Sequence, residues 1–346
     1  MATQPRDSAA RAGDARALGA VTAAFDLGTV QDIEVIDAGL MNRNWRVTTD
    51  RGMFAVKQVR DIDAVAARRQ HAATRVLAER GRPVPAPLTV PGGDTLLEYD
   101  GDVYAVTAWA QGTHREGLEL SLIEVESLGA LLAELHVDLA QIMPAAPETM
   151  CEPVTEPATT KDKIDRYMSA ASARSDRDAM DEFVLDRLRL RTQVLAQVGH
   201  LRPDDEVEVG PCGWVHGDFQ HLNVLFDGDK VSAVLDWDRL KPRPLAAEVV
   251  RSATLLFGFG DAQGLDLARV GAFVSGYRSR RELSDEALAD AVHRLWWERV
   301  CGTWQLRRRY EHADTSCDHL FRSAEGLLSW WTGHRPQVSA AFTGRR

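Results

Sequence analysis

The stretch that decides the reading is WVHGDFQHLNVLFDGDKVSAVLDWDRL, Trp214 to Leu240. Asp218 is followed five residues later by Asn223, thirteen after that by Asp236, and two further on by Asp238. Asp227-Gly228-Asp229 is a turn signal between two short apolar runs, so a loop leads into a hairpin. A hard divalent cation such as Mg²⁺ takes oxygen ligands, commonly one or two protein groups together with phosphates and water. Phosphoryl transfer asks a protein mainly for positioning and charge neutralisation. On that chemistry the Asn223 amide and the Asp236 carboxylate would bind the ion. Asp218 would orient an acceptor hydroxyl and take its proton.

Upstream, the chain divides by pattern. Residues 1–13 lack periodicity and are expected to fray. Asp14 to Phe25 reads as a short helix. IEVIDAGL, NWRVTT and MFAVKQV then read as strands, the last entered through the turn Asp50-Arg51-Gly52. Asp61 to Arg80 reads as a helix stopped at Gly81, and Pro83, Pro85 and Pro87 force an extended segment. Two more strands, TLLEY and VYAVTAWA, turn at Asp100-Gly101-Asp102. Ser121 to Ala140 is strongly helical, with Leu128, Leu131, Leu132 and Leu135 on one stripe. Residues 143–160 are irregular, 161–199 hold one or two helices, two short strands fall within 212–236, and the chain beyond Leu245 is helical. The fold class is therefore α+β and bilobal. A β-rich lobe over 1–108 and a mostly helical lobe over 109–346 would meet at a hinge near 108–113, with a helical insert near 143–210.

With these elements in place, the H-x-D-x-x-x-x-N pattern and its following Asp resemble the catalytic loop of the protein-kinase fold. Gly217 between His216 and Asp218, and D-W-D at 236–238, are similar to the aminoglycoside phosphotransferase (phosphotransferase enzyme) family, which also includes choline, homoserine and methylthioribose kinases. LGALLAELH, Leu128 to His136, resembles the helix that begins that family's large lobe. The resemblance implies a protein-kinase-like fold, ATP (or GTP) as donor and Mg²⁺ as cofactor. It puts the catalytic base on Asp218 and the metal ligands on Asn223 and Asp236, and makes His216 a loop residue that holds backbone. Lys57 in FAVKQV would bind phosphate. Gly39 to Asn44, with Gly39, Asn42 and Asn44 as contacts, would be the loop over the nucleotide, though it lacks G-x-G-x-x-G. Trp109 to Gly112, with Trp109 and Ala110 as contacts, would meet the adenine.

Two positions depart from the family pattern. The acid that pairs with the lysine is replaced by Gln70, so either Glu79 or another acid serves, or the lysine is held less firmly. An Asp bracing the catalytic loop is replaced by Glu248, read as structural support. Asp238 reads as structural, through backbone hydrogen bonds or a salt bridge, with a metal or substrate contact as the alternative. His221 reads as a surface loop residue. Trp296, Trp297, Trp304, Trp330 and Trp331 form an aromatic stripe expected in the core. Arg294, Trp297 and Glu298 are substrate-side candidates, together with Arg308.

Composition narrows the function. The chain has 346 residues, 41 Lys plus Arg and 51 Asp plus Glu, a net charge of −10, which disfavours nucleic acid as partner. No apolar run approaches the ~20 residues of a membrane span, and the N-terminus lacks a secretory h-region. The four cysteines have no metal spacing and suit a reducing compartment, so a cytoplasmic monomer or homodimer is expected. Residues 143–210 carry 14 acids and 9 bases, a charge suited to a cationic or polyhydroxylated acceptor, or else to solvated helix faces. The expected activity is O-phosphorylation of a small molecule, first a sugar-like hydroxyl of an antibiotic, as a resistance or self-protection enzyme. The alternatives are a metabolic choline, homoserine or sugar kinase, and a non-catalytic pseudokinase.

Overall fold

The computed structural model describes residues 5–36, 42–260 and 264–345. In chain order, α1 (Pro5–Ala24) precedes β1 (Val30–Ile36), β2 (Arg43–Thr49) and β3 (Gly52–Val59). Next come α2 (Ala64–Glu79), β4 (Leu97–Tyr99), β5 (Asp102–Ala108) and β6 (Thr113–His114). They are followed by α3 (Leu122–Ile142), α4 (Pro157–Ser172), α5 (Ala179–Val198), β7 (Cys212–Val215), β8 (Val224–Asp227), β9 (Lys230–Val234) and β10 (Lys241–Pro244). The helices α6 (Leu245–Leu256), α7 (Leu267–Arg278), α8 (Asp285–Cys301), α9 (Trp304–Glu311), α10 (Asp318–Gly333) and α11 (Arg335–Thr343) complete the chain. Residues 5–13, expected to fray, belong to α1, and α4 starts at Pro157 inside the segment read as irregular.

The chain forms two compact units. The first joins Met1–Arg115, Asp138–Pro144 and His216–Lys241, and the second holds the remainder. In the first unit an antiparallel sheet runs in the order β1-β2-β3-β5-β4. Side chains alternate across a strand with period two, so Trp45, Val47, Val56, Tyr104 and Val106 share one face and pack against Leu18 and Val21 of α1. Lys57 points to the other face. It lies opposite Ala105 in the β3–β5 register, and Ala105 clusters with Ala67 of α2. Asp63 starts α2 by accepting the Ala66 N–H at 2.7 Å.

A second sheet in the same unit, β6-β8-β9, carries the loop and hairpin. The Val234 N–H donates to the Pro83 carbonyl at 2.6 Å, and the Ser232 hydroxyl to the Gln111 carbonyl at 2.7 Å. Gly112 has φ +127°, and a Cβ there would lie 2.8 Å from the Phe226 carbonyl oxygen. These ties seat the hairpin on the segments that follow α2 and β5.

The second unit is helical, with Trp296, Trp297, Trp331, Tyr277, Phe273 and Phe321 fully buried. The aromatic stripe is thus core at Trp296, Trp297 and Trp331, whereas Trp304 is exposed. Helices α3 and α7 cross in backbone contact: a Cβ on Gly129 would lie 2.0 Å from the Phe273 carbonyl oxygen, and one on Gly276 1.9 Å from that of Glu126. Among the described residues no helix is long and apolar enough to cross a membrane.

Candidate active site

The loop after β7 is organised by His216, which is fully buried. The Asp218 N–H donates to its Nδ1 at 3.2 Å, and its Nε2 lies 2.9 Å from the Leu235 carbonyl. A backbone N–H can only donate and a carbonyl can only accept, so the ring is the neutral tautomer with its proton on Nε2. One imidazole therefore ties the backbone of Asp218 to that of Leu235, the neighbour of Asp236. The Trp237 ring packs on it at 4.6 Å between centroids, and the Trp237 indole donates to the Val234 carbonyl at 3.0 Å. Gly217 adopts φ +85°, and a Cβ there would lie 2.6 Å from the Arg239 carbonyl oxygen, so only glycine fits between His216 and Asp218.

The Asn223 amide nitrogen donates to the Asp218 carbonyl at 2.8 Å and to its Oδ2 at 3.1 Å, and Gln220 Nε2 donates to the same Oδ2 at 2.8 Å. The Asn223 carbonyl accepts the Leu235 N–H at 2.8 Å, which sets Asn223 beside the Asp236 end of the hairpin. Asp236 has φ +57°, a left-handed conformation that aspartate tolerates better than most residues. Its side chain is 46% exposed.

Lys57 Nζ lies 2.9 Å from Asp236 Oδ1 and 2.7 Å from Asp238 Oδ2. Burial opposes the ammonium charge, but the two carboxylates outweigh it and hold the Lys57 pKa above its ordinary value. Burial likewise opposes the Asp236 carboxylate, and Lys57 overcomes it, holding that group below its ordinary value. The acids that meet Lys57 are thus Asp236 and Asp238. Glu79, the last residue of α2, is not one of them. Gln70 is buried and its Nε2 donates to the Asp238 backbone carbonyl at 2.9 Å. Asn42 Nδ2 donates to Asp238 Oδ2 at 2.7 Å, while its Oδ1 accepts the Arg60 N–H at 2.9 Å. Asn42, expected in a nucleotide loop, therefore braces Asp238.

The other expected positions fall as follows. Gly39 lies outside the described residues. Asn44 is on β2 opposite Lys57. The Trp109 N–H donates to the Met53 carbonyl at 2.9 Å, and Arg46 lies over its ring at 5.5 Å. Ala110 follows it, half-buried. The His221 carbonyl faces His114 Nδ1 at 3.2 Å. In the second unit, Glu248 is buried against His136 Nε2 at 2.5 Å. Trp297 is 1% exposed and its indole donates to the Thr155 carbonyl at 3.0 Å. Arg294 pairs with Asp290 at 2.7 Å and Arg308 with Asp314 at 2.6 Å, and Glu298 is exposed. The clamp of Asn42 and Gln70 on Asp238 escaped the sequence reading. Its one sequence signal is the second acid of D-W-D standing beside a missing helix acid.

A model of the phosphotransferase enzyme family matches residues 32–283. The homoserine kinase of Methylobacillus flagellatus is 26% identical over 284 residues, covering 80% of this chain and 81% of that protein. The homoserine kinase of Janthinobacterium sp. is 23% identical over 319 residues, covering 91% and 89%. Among solved structures, spectinomycin phosphotransferase APH(9)-Ia with ADP and spectinomycin superposes with a TM-score of 0.63 at 12% identity, covering 89% of this chain and 94% of that one. With the family model spanning well over half of its length, this chain belongs to the phosphotransferase enzyme family and is a small-molecule kinase with a protein-kinase-like fold.

Proposed function

We propose that the chain transfers the γ-phosphoryl group of ATP, or of GTP in its place, to a hydroxyl of an amino-acid-sized acceptor, with Mg²⁺ as cofactor. The observation that carries this reading is the cluster of Lys57, Asp218, Asn223 and Asp236, held together by His216 and the hairpin. Asn223 commits its amide nitrogen to Asp218, which leaves its amide oxygen as the end suited to a cation. The exposed Asp236 carboxylate supplies the second donor, and an amide plus a carboxylate is a donor set that Mg²⁺ accepts. When bound, the ion would neutralise charge on the phosphates. Lys57 would hold phosphate oxygens. Asp218, oriented by two amide N–H groups, would take the acceptor proton as the acceptor oxygen bonds to phosphorus and the bond to the nucleoside diphosphate breaks.

The acceptor reading follows the curated relatives, which are homoserine kinases. The antibiotic sugar expected from the sequence rested on the family resemblance, with the acidity of residues 143–210 adding only slightly to it. Eight of those fourteen acids, Glu152, Glu156, Asp165, Asp178, Asp181, Glu182, Asp186 and Asp205, form ion pairs within their own unit. Six of them pair with bases of the same segment, which its net charge already counts, and only Arg243 and Arg309 bring counter-charge from outside it, so the segment keeps most of its negative excess and does not by itself choose between acceptors. The unpaired cysteines agree with a reducing, cytoplasmic setting. A panel of homoserine, choline, free sugars, spectinomycin and aminoglycosides with radiolabelled ATP tests the reading, and turnover confined to the antibiotics would overturn the acceptor class. A positioned base contributes about 10²–10⁴-fold, so Asp218→Asn should lose at least about 10²-fold in kcat. Parent-like turnover in that variant would remove Asp218 from its role.

A further inference from the structure

We infer that Asp238 is the positioning carboxylate for Lys57, replacing an acid on α2, and that Asp236 is the partner the lysine gives up when nucleotide binds. The inference rests on the reading of Lys57 as the phosphate-binding group.

Two acids share one ammonium, and their surroundings differ. The Asp238 side chain is 11% exposed and that of Asp236 is 46% exposed. A charge pair screened from water interacts more strongly than one that is open to it, so the inner pair is the more durable. Asp238 is also fixed from three directions. Its Oδ2 accepts from both Lys57 and Asn42, each at 2.7 Å, and its backbone carbonyl accepts from Gln70 at 2.9 Å. These partners come from three places in the chain: β3, the residue before β2, and α2. The Asp236 carboxylate is the outer one, and the same group is proposed above as a metal ligand.

This arrangement also accounts for the glutamine. A glutamate at position 70 would add a third carboxylate beside a single ammonium, and close like charges disfavour one another. The neutral amide avoids that and supplies an N–H that fixes the Asp238 backbone. Gln70 and Asp238 therefore work together: the acid beside Lys57 stands on the D-W-D segment, and the helix supplies a neutral amide that fixes it.

The test uses Asp238→Asn, Gln70→Glu and the double variant of the full chain, with binding read by calorimetry for Mg-ATP and for adenosine. Losing a half-buried charge partner is worth on the order of tenfold. Asp238→Asn should weaken Mg-ATP about tenfold and leave adenosine unchanged, with the nucleotide KM rising and the acceptor KM steady. The double variant should regain most of the lost affinity, because the acid returns from α2. A merely structural Asp238 would weaken adenosine as well and would not be rescued by Gln70→Glu; that result, or unchanged Mg-ATP affinity, overturns the inference. Should Asp238→Asn fail to fold, a crystal structure of the parent with Mg-ADP decides: Lys57 on Asp238 supports the inference, and Lys57 on Asp236 alone overturns it. If no acceptor is phosphorylated while the binding shifts appear, the proposed activity falls and the Lys57–Asp238 assignment stands.

Discussion

Gly217 is where a single atom decides the loop. An alanine there would carry a positive φ that costs about 1–3 kcal/mol, and its Cβ would press on the Arg239 carbonyl. Gly217→Ala should lower the melting temperature and reduce kcat, and a variant with parent-like values of both would contradict the close approach. His216→Leu should behave similarly, since it leaves the Asp218 N–H and the Leu235 carbonyl without their buried partner, at about 1–3 kcal/mol each. These positions were legible in the sequence because their chemistry is local: loop, turn and donors lie within 25 residues of each other. The partner of Lys57 was not legible, because Asp238 lies 181 positions away in sequence, and no local pattern reports such a pairing. The contact of Asn42 with Asp238 was hidden for the same reason, as the two are 196 positions apart.

Individual helices show what composition alone conceals. The N-terminus of α5 is a capping box of Asp178 and Asp181. Both acids also meet Arg309 of α9, at 2.6 Å and 3.0 Å, and Tyr310 donates to Asp181 at 2.8 Å. Arg309 is 2% exposed on its side chain and Asp181 is fully buried. Breaking a buried pair by removing one partner costs about 3–5 kcal/mol, so Arg309→Met should lower the urea midpoint by that equivalent. A shift within experimental error would mean that the carboxylates are satisfied without it. The strands of the first sheet were readable from their alternation and their Asp-Gly turns. The start of α4 was obscured by prolines, although proline is favoured in a first helical turn. The acidity of 143–210 left an acceptor wall and solvated helix faces both open, and composition could not show that two of its counter-charges come from Arg243 and Arg309, on other elements.

For the molecule as a whole, pH and ligand response follow from the same groups. Hydrogen bonds from Arg309 lower Asp178 to about 2, and Lys57 holds Asp236 below its ordinary value. A depressed carboxylate stabilises the fold above its unfolded value, near 3.9, and loses that contribution as pH falls through its folded value. The melting temperature should therefore decline between about pH 4 and pH 2. Half-exposed Asp178 contributes little because water screens it, and an acid arm that begins above pH 5 would implicate other groups. Adding Mg²⁺ with a non-hydrolysable nucleotide should slow amide exchange in residues 43–59 and 216–238, and protection confined to α7 and α11 would point to a different binding site. The meeting of α3 and α7 at Gly129 and Gly276 has a practical reach of its own. Replacing helical glycine by alanine is a routine route to a sturdier protein, but here it would wedge two helices apart. Libraries built to raise heat tolerance or widen substrate range should hold both codons fixed and spend their diversity elsewhere.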